Sequence, residues 1–196
     1  MYGLTWDEER ALYTVVGAFV VNWGFTESAV SQACHILLDA GGHRRHRSTP
    51  REFGRKLSFI RDCFKHYPQL ASDKKFCSTL RAETKAVISH RDFLIHGVLT
   101  GYDRTEQTYR FTRLDPETNK YAQNTTHIAL ATLLEIDAAA RKIAADWLKL
   151  VENLHVIRES PNGFQKPDGI RHVSVYERAN SVYQTIKRFI CRIARS

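Results

Sequence analysis

Hydrophobic residues recur every three or four positions along four long stretches of the chain, which is the spacing of one buried face of an α-helix. These stretches cover about 5–40, 51–67, 72–96 and 132–155. Each one predicts an amphipathic helix, because its charged residues fall mainly on the other faces. Together they predict a mainly α protein built as an up-and-down helical bundle.

Polar residues stand where three of these helices would begin, and their side chains can accept hydrogen bonds from free backbone amides. Thr5 precedes the first helix, and Ser72 with Asp73 precedes the third. Thr132 and Glu135 have the spacing of a capping box at the start of the last helix. We therefore expect capped N-termini at these three places.

Gly24 lies inside the first predicted helix, where a glycine costs about 1 kcal/mol relative to alanine. It could divide the stretch into two helices, with Thr26 capping the second. The hydrophobic spacing keeps its phase across the glycine, however, and we therefore favour one continuous helix.

The period changes after Gly97, where alternating residues replace the helical spacing. Residues 98–102 and 109–113 predict a β-hairpin, and 121–129 could add a third strand. We therefore expect a small antiparallel β insertion at about 98–130, after the third helix.

Aromatic residues of this insertion could stack on single-stranded bases. They are Tyr102, Tyr109, Phe111 and Tyr121. Packing of the sheet against the bundle is the other interpretation, and the one we favour.

The domain organisation follows from these patterns. We expect residues 1–155 to form one domain, with the β insertion inside it. Residues 156–173 contain two Pro-Asn-Gly or Pro-Asp-Gly turns, at 161–163 and 167–169, and predict a loop. Residues 174–196 predict a basic C-terminal helix that packs on the same domain.

The chain carries a formal charge of +8 over 196 residues, which favours an anionic partner, and nucleic acid is the commonest one. Two basic segments could contact an RNA backbone. They contain Arg44, Arg45 and Arg47 in a loop, and Lys187, Arg188 and Arg192 in the C-terminal helix. The alternatives are a solvated loop and a helix end whose charge complements the helix dipole.

Several classes of protein are disfavoured. The N-terminus does not have the pattern of a signal peptide, and the longest apolar stretch, 15–23, is too short to span a bilayer. Cysteines at 34, 63, 77 and 191 have no paired spacing, which is typical of buried free thiols in a reducing cytoplasm. We found no zinc-ligand spacing, P-loop or dinucleotide fingerprint, and we therefore expect a cytoplasmic protein with no membrane partner, metal or cofactor.

The end of the third helix carries the candidate chemistry. Arg91 falls in phase with that helix's hydrophobic face, where a cation needs a carboxylate or an anionic ligand. Glu27, close to the buried face of the first helix, is a candidate partner, and a structural salt bridge is the plain interpretation of such a pair. His90, directly before Arg91, is a further candidate for a supporting role.

The spacing within this stretch raises a geometric question. Asp92 and His96 are four residues apart and share a helix face, so the carboxylate can orient the imidazole. Arg91 and His96 are five apart, which places them about 140° from each other around the helix axis. Arg91 could curl round, the helix could distort near Gly97, or another element could complete the site. A second copy of the chain across a two-fold axis is one such element.

The stretch Arg91-Asp92-Phe93-Leu94-Ile95-His96 resembles the Arg-x4-His signature of HEPN domains, which are helical bundles with a long first helix. The resemblance implies a metal-independent endoribonuclease, commonly a toxin or defence effector, that dimerises so that two motifs line one cleft. By this resemblance His96 would be the general acid or base, Arg91 would hold the scissile phosphate, and Asp92 would orient them.

The resemblance also implies partners. One toxin subgroup carries a tyrosine two residues after the motif histidine, and a partner nucleotidyltransferase modifies it. This chain has Val98 there, so that regulation does not carry over directly. An antitoxin or nucleotidyltransferase remains a possible partner, besides RNA and a second copy of the chain.

Three interpretations follow from the sequence. The first is a homodimeric HEPN-type ribonuclease that cleaves RNA through attack of the 2′-hydroxyl. The second is a non-catalytic HEPN-like module that binds RNA, a nucleotide or a partner protein. In the third, Arg91, Asp92 and His96 form only a buried polar network in a helical domain.

Overall fold

The computed structural model describes residues 3–40, 48–114, 123–160 and 163–164, all within one compact unit, Met1–Gln165. The helices are α1 (Trp6–Asp39), α2 (Phe53–His66), α3 (Lys74–His96) and α4 (Leu130–Glu159). The strands β1 (Val98–Asp103), β2 (Thr108–Leu114) and β3 (Gln123–Ala129) lie between α3 and α4, and a short 3-10 helix (Pro68–Leu70) precedes α3. The expected mainly α fold with an inserted antiparallel sheet is confirmed.

The loop and the helix predicted after residue 155 fall mainly outside the described residues. The predicted basic helix at 174–196 and its packing lie outside the described residues, as do most of residues 156–173. Where the prediction placed the start of that loop, α4 instead continues to Glu159.

The first helix has the cap and the continuity that its sequence predicts. The Thr5 hydroxyl accepts from the backbone N–H of Glu8 at 3.3 Å, and the Glu8 carboxylate accepts from the backbone N–H of Thr5 at 2.6 Å. The second of these bonds lowers the pKa of Glu8. The helix passes through Gly24 without a break, which confirms one continuous α1.

The other two predicted caps are wrong. Asp73 occupies the N-cap position of α3 but makes no capping bond, because the chain enters this helix from the 3-10 turn rather than from extended backbone. Thr132 and Glu135 lie inside α4, which begins at Leu130 with Ala129 as its N-cap residue. The reason is that β3 runs directly into α4, so the extended backbone of Ala129 is the entry to the helix.

The core lies where α1 packs along α4, with α2 and α3 closing the other side. Trp23 from α1 and Trp147 from α4 are its largest fully buried side chains. The indole N–H of Trp147 donates to the Thr84 hydroxyl of α3 at 2.9 Å, so the buried polar atoms of these two residues are paired. Asn22 also joins α1 to α4 by donating to the buried Asp137 carboxylate at 2.8 Å.

The sheet has the order β1-β2-β3, and both pairs are antiparallel. Its inner face, formed by Tyr109, Phe111 and Ile128, is buried against the bundle. The Tyr109 hydroxyl donates to the Glu8 carbonyl at 3.1 Å and so ties the sheet to the start of α1. Packing, not base stacking, is therefore the role of Tyr109 and Phe111, and Tyr121 lies outside the described residues.

Gly97 alone separates α3 from β1. A Cβ atom at this position would collide with the Phe93 carbonyl oxygen, to which the Gly97 backbone N–H donates at 2.9 Å. Glycine is therefore required for the strand to leave the helix at this angle. The short junction places His96 directly beside the sheet.

The described residues also bear on membrane-spanning helices and on the cysteines. None of these helices is long and apolar enough to cross a membrane. Cys34, Cys63 and Cys77 are buried and form no disulfide within the described residues, and Cys191 lies outside those residues. Burial raises the pKa of Cys34 and of Cys77 to about 12, which disfavours the reactive thiolate.

We predict that Leu150→Ala lowers the free energy of unfolding by about 3 kcal/mol, because it opens a cavity in the α1–α4 core. Leu150 is fully buried, whereas Leu134 on the same helix is 55% exposed. Urea unfolding followed by circular dichroism should show a change of less than about 0.5 kcal/mol for Leu134→Ala. Equal losses in the two variants would contradict this position of the core.

Candidate functional site

The C-terminal end of α3 brings Arg91 and His96 into direct contact within one chain. Arg91 Nη1 lies 3.0 Å from His96 Nε2. The helix stays regular up to His96, so the long arginine side chain spans the angle between the two positions. Of the alternatives left open by the spacing, curling of Arg91 is the one observed.

As a hydrogen bond, this contact is compatible with only one form of the imidazole. A guanidinium has only N–H donors, so Nε2 must accept through its lone pair and the ring proton must lie on Nδ1.

Two carboxylates hold the guanidinium of Arg91. Its Nη2 donates to Glu27 Oε1 at 3.1 Å, and its Nη1 donates to Asp92 Oδ1 at 2.9 Å. The expected ion pair between Glu27 and Arg91 is confirmed. Because Nη1 has two hydrogens, it can serve both Asp92 and His96.

Glu27 is itself positioned by the core. The indole N–H of Trp23, four residues earlier on α1, donates to Glu27 Oε1 at 2.7 Å. Trp23 is buried and packs against the rings of Phe19 and Phe53. A chain of contacts thus runs from the aromatic core through Glu27 and Arg91 to His96.

Arg113 of β2 belongs to the site, although its position in the sequence predicted no role for it there. Its Nη1 lies 3.2 Å from Asp92 Oδ2, and its guanidinium lies over the Phe93 ring at 5.6 Å from the centroid. The signal was present in the strand alternation, because Arg113 follows Tyr109 and Phe111 on the inner face. We call Glu27, Arg91, Asp92, His96 and Arg113 the polar cluster.

Asp92 acts differently from the expectation. Its two oxygens face Arg91 and Arg113, and no hydrogen bond joins it to His96. Two permanently charged guanidinium groups are stronger partners for a carboxylate than a neutral imidazole. Asp92 therefore helps to position Arg91, which contacts His96, and does not itself orient the imidazole by a hydrogen bond.

The remaining candidate residues are not brought to the cluster. His90 is half-buried and makes no hydrogen bond or ion pair with the described residues. The predicted RNA contacts all lie outside the described part of the chain, namely Arg44, Arg45, Arg47, Lys187, Arg188 and Arg192.

His96 is exposed on the wall of an open groove of about 460 Å³. The groove runs between the end of α3 and the sheet, and the described residues that line it include no carboxylate. Its lining residues are His96, Val98, Thr100, Thr112, Arg113, Leu114 and Gln123.

Each arginine of the cluster has spare hydrogen-bonding capacity. The buried Nε atoms of Arg91 and Arg113 have no hydrogen-bond partner among the described residues. Such unpaired buried donors are uncommon in native proteins and need an explanation. Within the same described ranges, no group of three or more histidine, cysteine, aspartate or glutamate side chains could hold a metal ion.

We predict that neutral His96 carries its proton on Nδ1 and that Arg91→Leu shifts it to the usual Nε2–H form, because the donor to Nε2 is lost. Long-range ¹H–¹⁵N correlation spectra of the neutral imidazole distinguish the two forms. The control is Arg110→Leu, since Arg110 lies on β2 but does not contact His96. The same form of His96 in wild type and Arg91→Leu would contradict the contact.

Comparison of the chain with family models, with curated proteins and with solved structures found no match in any of the three. Two observations therefore bear on the function, namely the geometry of the polar cluster and the resemblance of its Arg91–His96 spacing to the HEPN signature.

Proposed function

We propose that the protein is a HEPN-type, metal-independent endoribonuclease. The observation that carries the proposal is the 3.0 Å contact between Arg91 Nη1 and His96 Nε2 beside an open groove. A fixed cation and a titratable base thus meet at one point that a substrate can reach.

RNA cleavage suits these groups because RNA supplies its own nucleophile. A base removes the proton of the 2′-hydroxyl, whose oxygen attacks the adjacent phosphorus, and the bond to the 5′-oxygen breaks as that oxygen gains a proton. His96 is the candidate base. Arg91 is the candidate donor to the phosphate oxygens, where negative charge accumulates in the transition state.

The neutral form of His96 is the form that a general base requires. A phosphate seated between the two side chains would take the Arg91 N–H and release His96 Nε2 to the 2′-hydroxyl. Glu27 and Asp92 keep the guanidinium in place before the substrate arrives, so little reorganisation is needed when it binds.

The leaving 5′-oxygen needs an acid, and the polar cluster of one chain contains a single imidazole. A second copy of the chain would supply a second His96, as the resemblance to dimeric HEPN domains implies. We therefore propose a homodimer that acts on cytoplasmic RNA as a toxin or defence effector. An antitoxin or a nucleotidyltransferase is a partner of the kind that such proteins have.

A non-catalytic HEPN-like module is the second candidate function. It is favoured by the charge balance of the cluster, because Arg91 and Arg113 are each paired with a carboxylate. In such a module, Arg91 would keep the His96 lone pair occupied, and the groove would bind RNA, a nucleotide or a partner protein without cleaving it.

We predict that purified protein cleaves RNA in excess chelator and that Arg91→Ala and His96→Ala each lower the cleavage rate by about 100-fold or more. The measurement is the initial rate on a labelled single-stranded RNA, analysed on a denaturing gel.

Matched controls are Arg55→Ala and His35→Ala, which replace an arginine and a histidine on other surfaces. Arg55 is exposed and pairs with Glu52, and His35 contacts Thr49. Cleavage that persists in Arg91→Ala or His96→Ala would overturn the enzymatic proposal. RNA binding without any cleavage by the wild type would favour the non-catalytic module.

A further inference from the structure

The sheet has an outer face that turns away from the bundle and leads into the His96 groove. Alternation along β2 places Tyr109 and Phe111 inward and Arg110, Thr112 and Leu114 outward. On β3, the residues paired with Arg110, Thr112 and Leu114 are His127, Thr125 and Gln123, in that order. These three residues also lie on the outward side of the sheet. We call this surface, from Arg110 to Leu114 with its neighbours on β1 and β3, the outer face.

A row of three hydroxyl groups crosses the outer face, one from each strand. Thr100 Oγ1 lies 2.9 Å from Thr112 Oγ1, which lies 3.1 Å from Thr125 Oγ1. Thr100 also donates to the Arg110 carbonyl at 3.2 Å. Because each hydroxyl has one hydrogen, all three bonds form together only if Thr125 donates to Thr112 and Thr112 donates to Thr100.

The direction of this row decides what it can recognise. In that arrangement Thr125, at the exposed end, donates its hydrogen to Thr112 and offers a ligand only acceptor lone pairs. It can accept from a ribose 2′-hydroxyl or from a base amino group, but it cannot donate to a phosphate. The 2′-hydroxyl is the group that distinguishes RNA from DNA at such a position.

A guanidinium lies on each side of the hydroxyl row. Arg113 lies at the groove, and Arg110, which is paired with His127, lies two residues beyond Thr112, about 7 Å along the strand. The Asp103 carboxylate lies at the hairpin turn, where it accepts from the backbone amides of its own turn. Between the turn and the groove, the outer face therefore suits a phosphate backbone.

Apolar side chains at the rim of the groove complete the surface. Val98 is 60% exposed and Leu114 is 58% exposed, and both line the groove beside His96. Apolar side chains can pack on the faces of bases only when those bases are unstacked and unpaired. This arrangement favours a single strand over a duplex.

We infer that single-stranded RNA lies across the outer face, with bases against Val98 and Leu114, a ribose hydroxyl at Thr125 and phosphates near Arg110 and His127. The strand thereby delivers the phosphate next to His96. This inference rests on the proposed ribonuclease function, because it treats the groove as the place of cleavage. It adds the path of the strand across the outer face and the residues that the strand contacts there.

The test compares two leucines of equal exposure on different surfaces. Leu114 on the outer face is 58% exposed and Leu134 on α4 is 55% exposed. Binding of a labelled oligouridine is measured by fluorescence anisotropy in a His96→Gln background, so that the RNA stays intact. We expect Leu114→Asp to weaken binding about tenfold through repulsion of phosphate, and Leu134→Asp to change it less than about twofold.

A second variant tests the hydroxyl row without a change of charge or shape. Thr125→Val should lower the preference for oligouridine over the deoxy strand of the same bases by about threefold, the loss expected for one hydrogen bond. Thr132→Val, an exposed threonine of α4, should leave that preference unchanged. Circular dichroism establishes that each variant is folded.

The outcomes separate this inference from the proposed function. Equal weakening by Leu114→Asp and Leu134→Asp, or no binding of single-stranded RNA, overturns the path. An unchanged preference in Thr125→Val overturns the role of the hydroxyl row. Selective weakening by Leu114→Asp in a protein that never cleaves RNA keeps the path and overturns the ribonuclease. Cleavage that is insensitive to Leu114→Asp keeps the ribonuclease function and overturns the path.

Discussion

The arrangement around the site depends on the guanidinium of Arg91, which must be paired with carboxylates at its position on α3. The residue is in phase with the buried face of α3, and its guanidinium remains charged at any ordinary pH. Glu27 from α1 and Asp92 from α3 provide the carboxylates, and Arg113 from β2 shares Asp92. Two neighbouring residues of α3 thus link that helix to α1, through Arg91, and to β2, through Asp92.

The free energy that these ion pairs contribute indicates what the cluster does for the protein. The four charged side chains of the cluster are between a quarter and two fifths exposed, and ion pairs of that kind contribute about 1 kcal/mol or less each. This is small beside the burial of the two tryptophans and their neighbours in the core. The cluster therefore contributes orientation more than stability. Since its two arginines are balanced by two carboxylates, most of the attraction for a polyanion must come from basic residues elsewhere.

Much of the fold could be predicted from hydrophobic spacing, because helices and strands of this length have distinct periods. The continuous α1, the hairpin and the pairing of Glu27 with Arg91 all follow from residue positions. Local capping signals were less informative. The Thr132–Glu135 pattern was overridden because β3 joins α4 directly, a tertiary connection that no short motif contains.

The site was predicted less completely than the fold. Helical angles gave the directions of Arg91 and His96, but they ignored the length of the arginine side chain, which closes the gap between them. The place of Arg113 depends on which face of the hairpin meets the bundle. That choice was visible in the alternation of Tyr109 and Phe111, yet only the folded register brings the residue to Asp92.

The short connections at the two ends of the sheet limit where residues can be inserted into or deleted from this chain. One glycine separates α3 from β1, and β3 continues into α4 with no turn. Because side chains alternate along a strand, one residue inserted beside Gly97 would exchange the inner and outer faces of β1. It would turn Thr100 towards the bundle and Leu99 towards solvent. Insertions and deletions should therefore be tolerated at the turns between strands, and the joints between sheet and helices should keep a constant length.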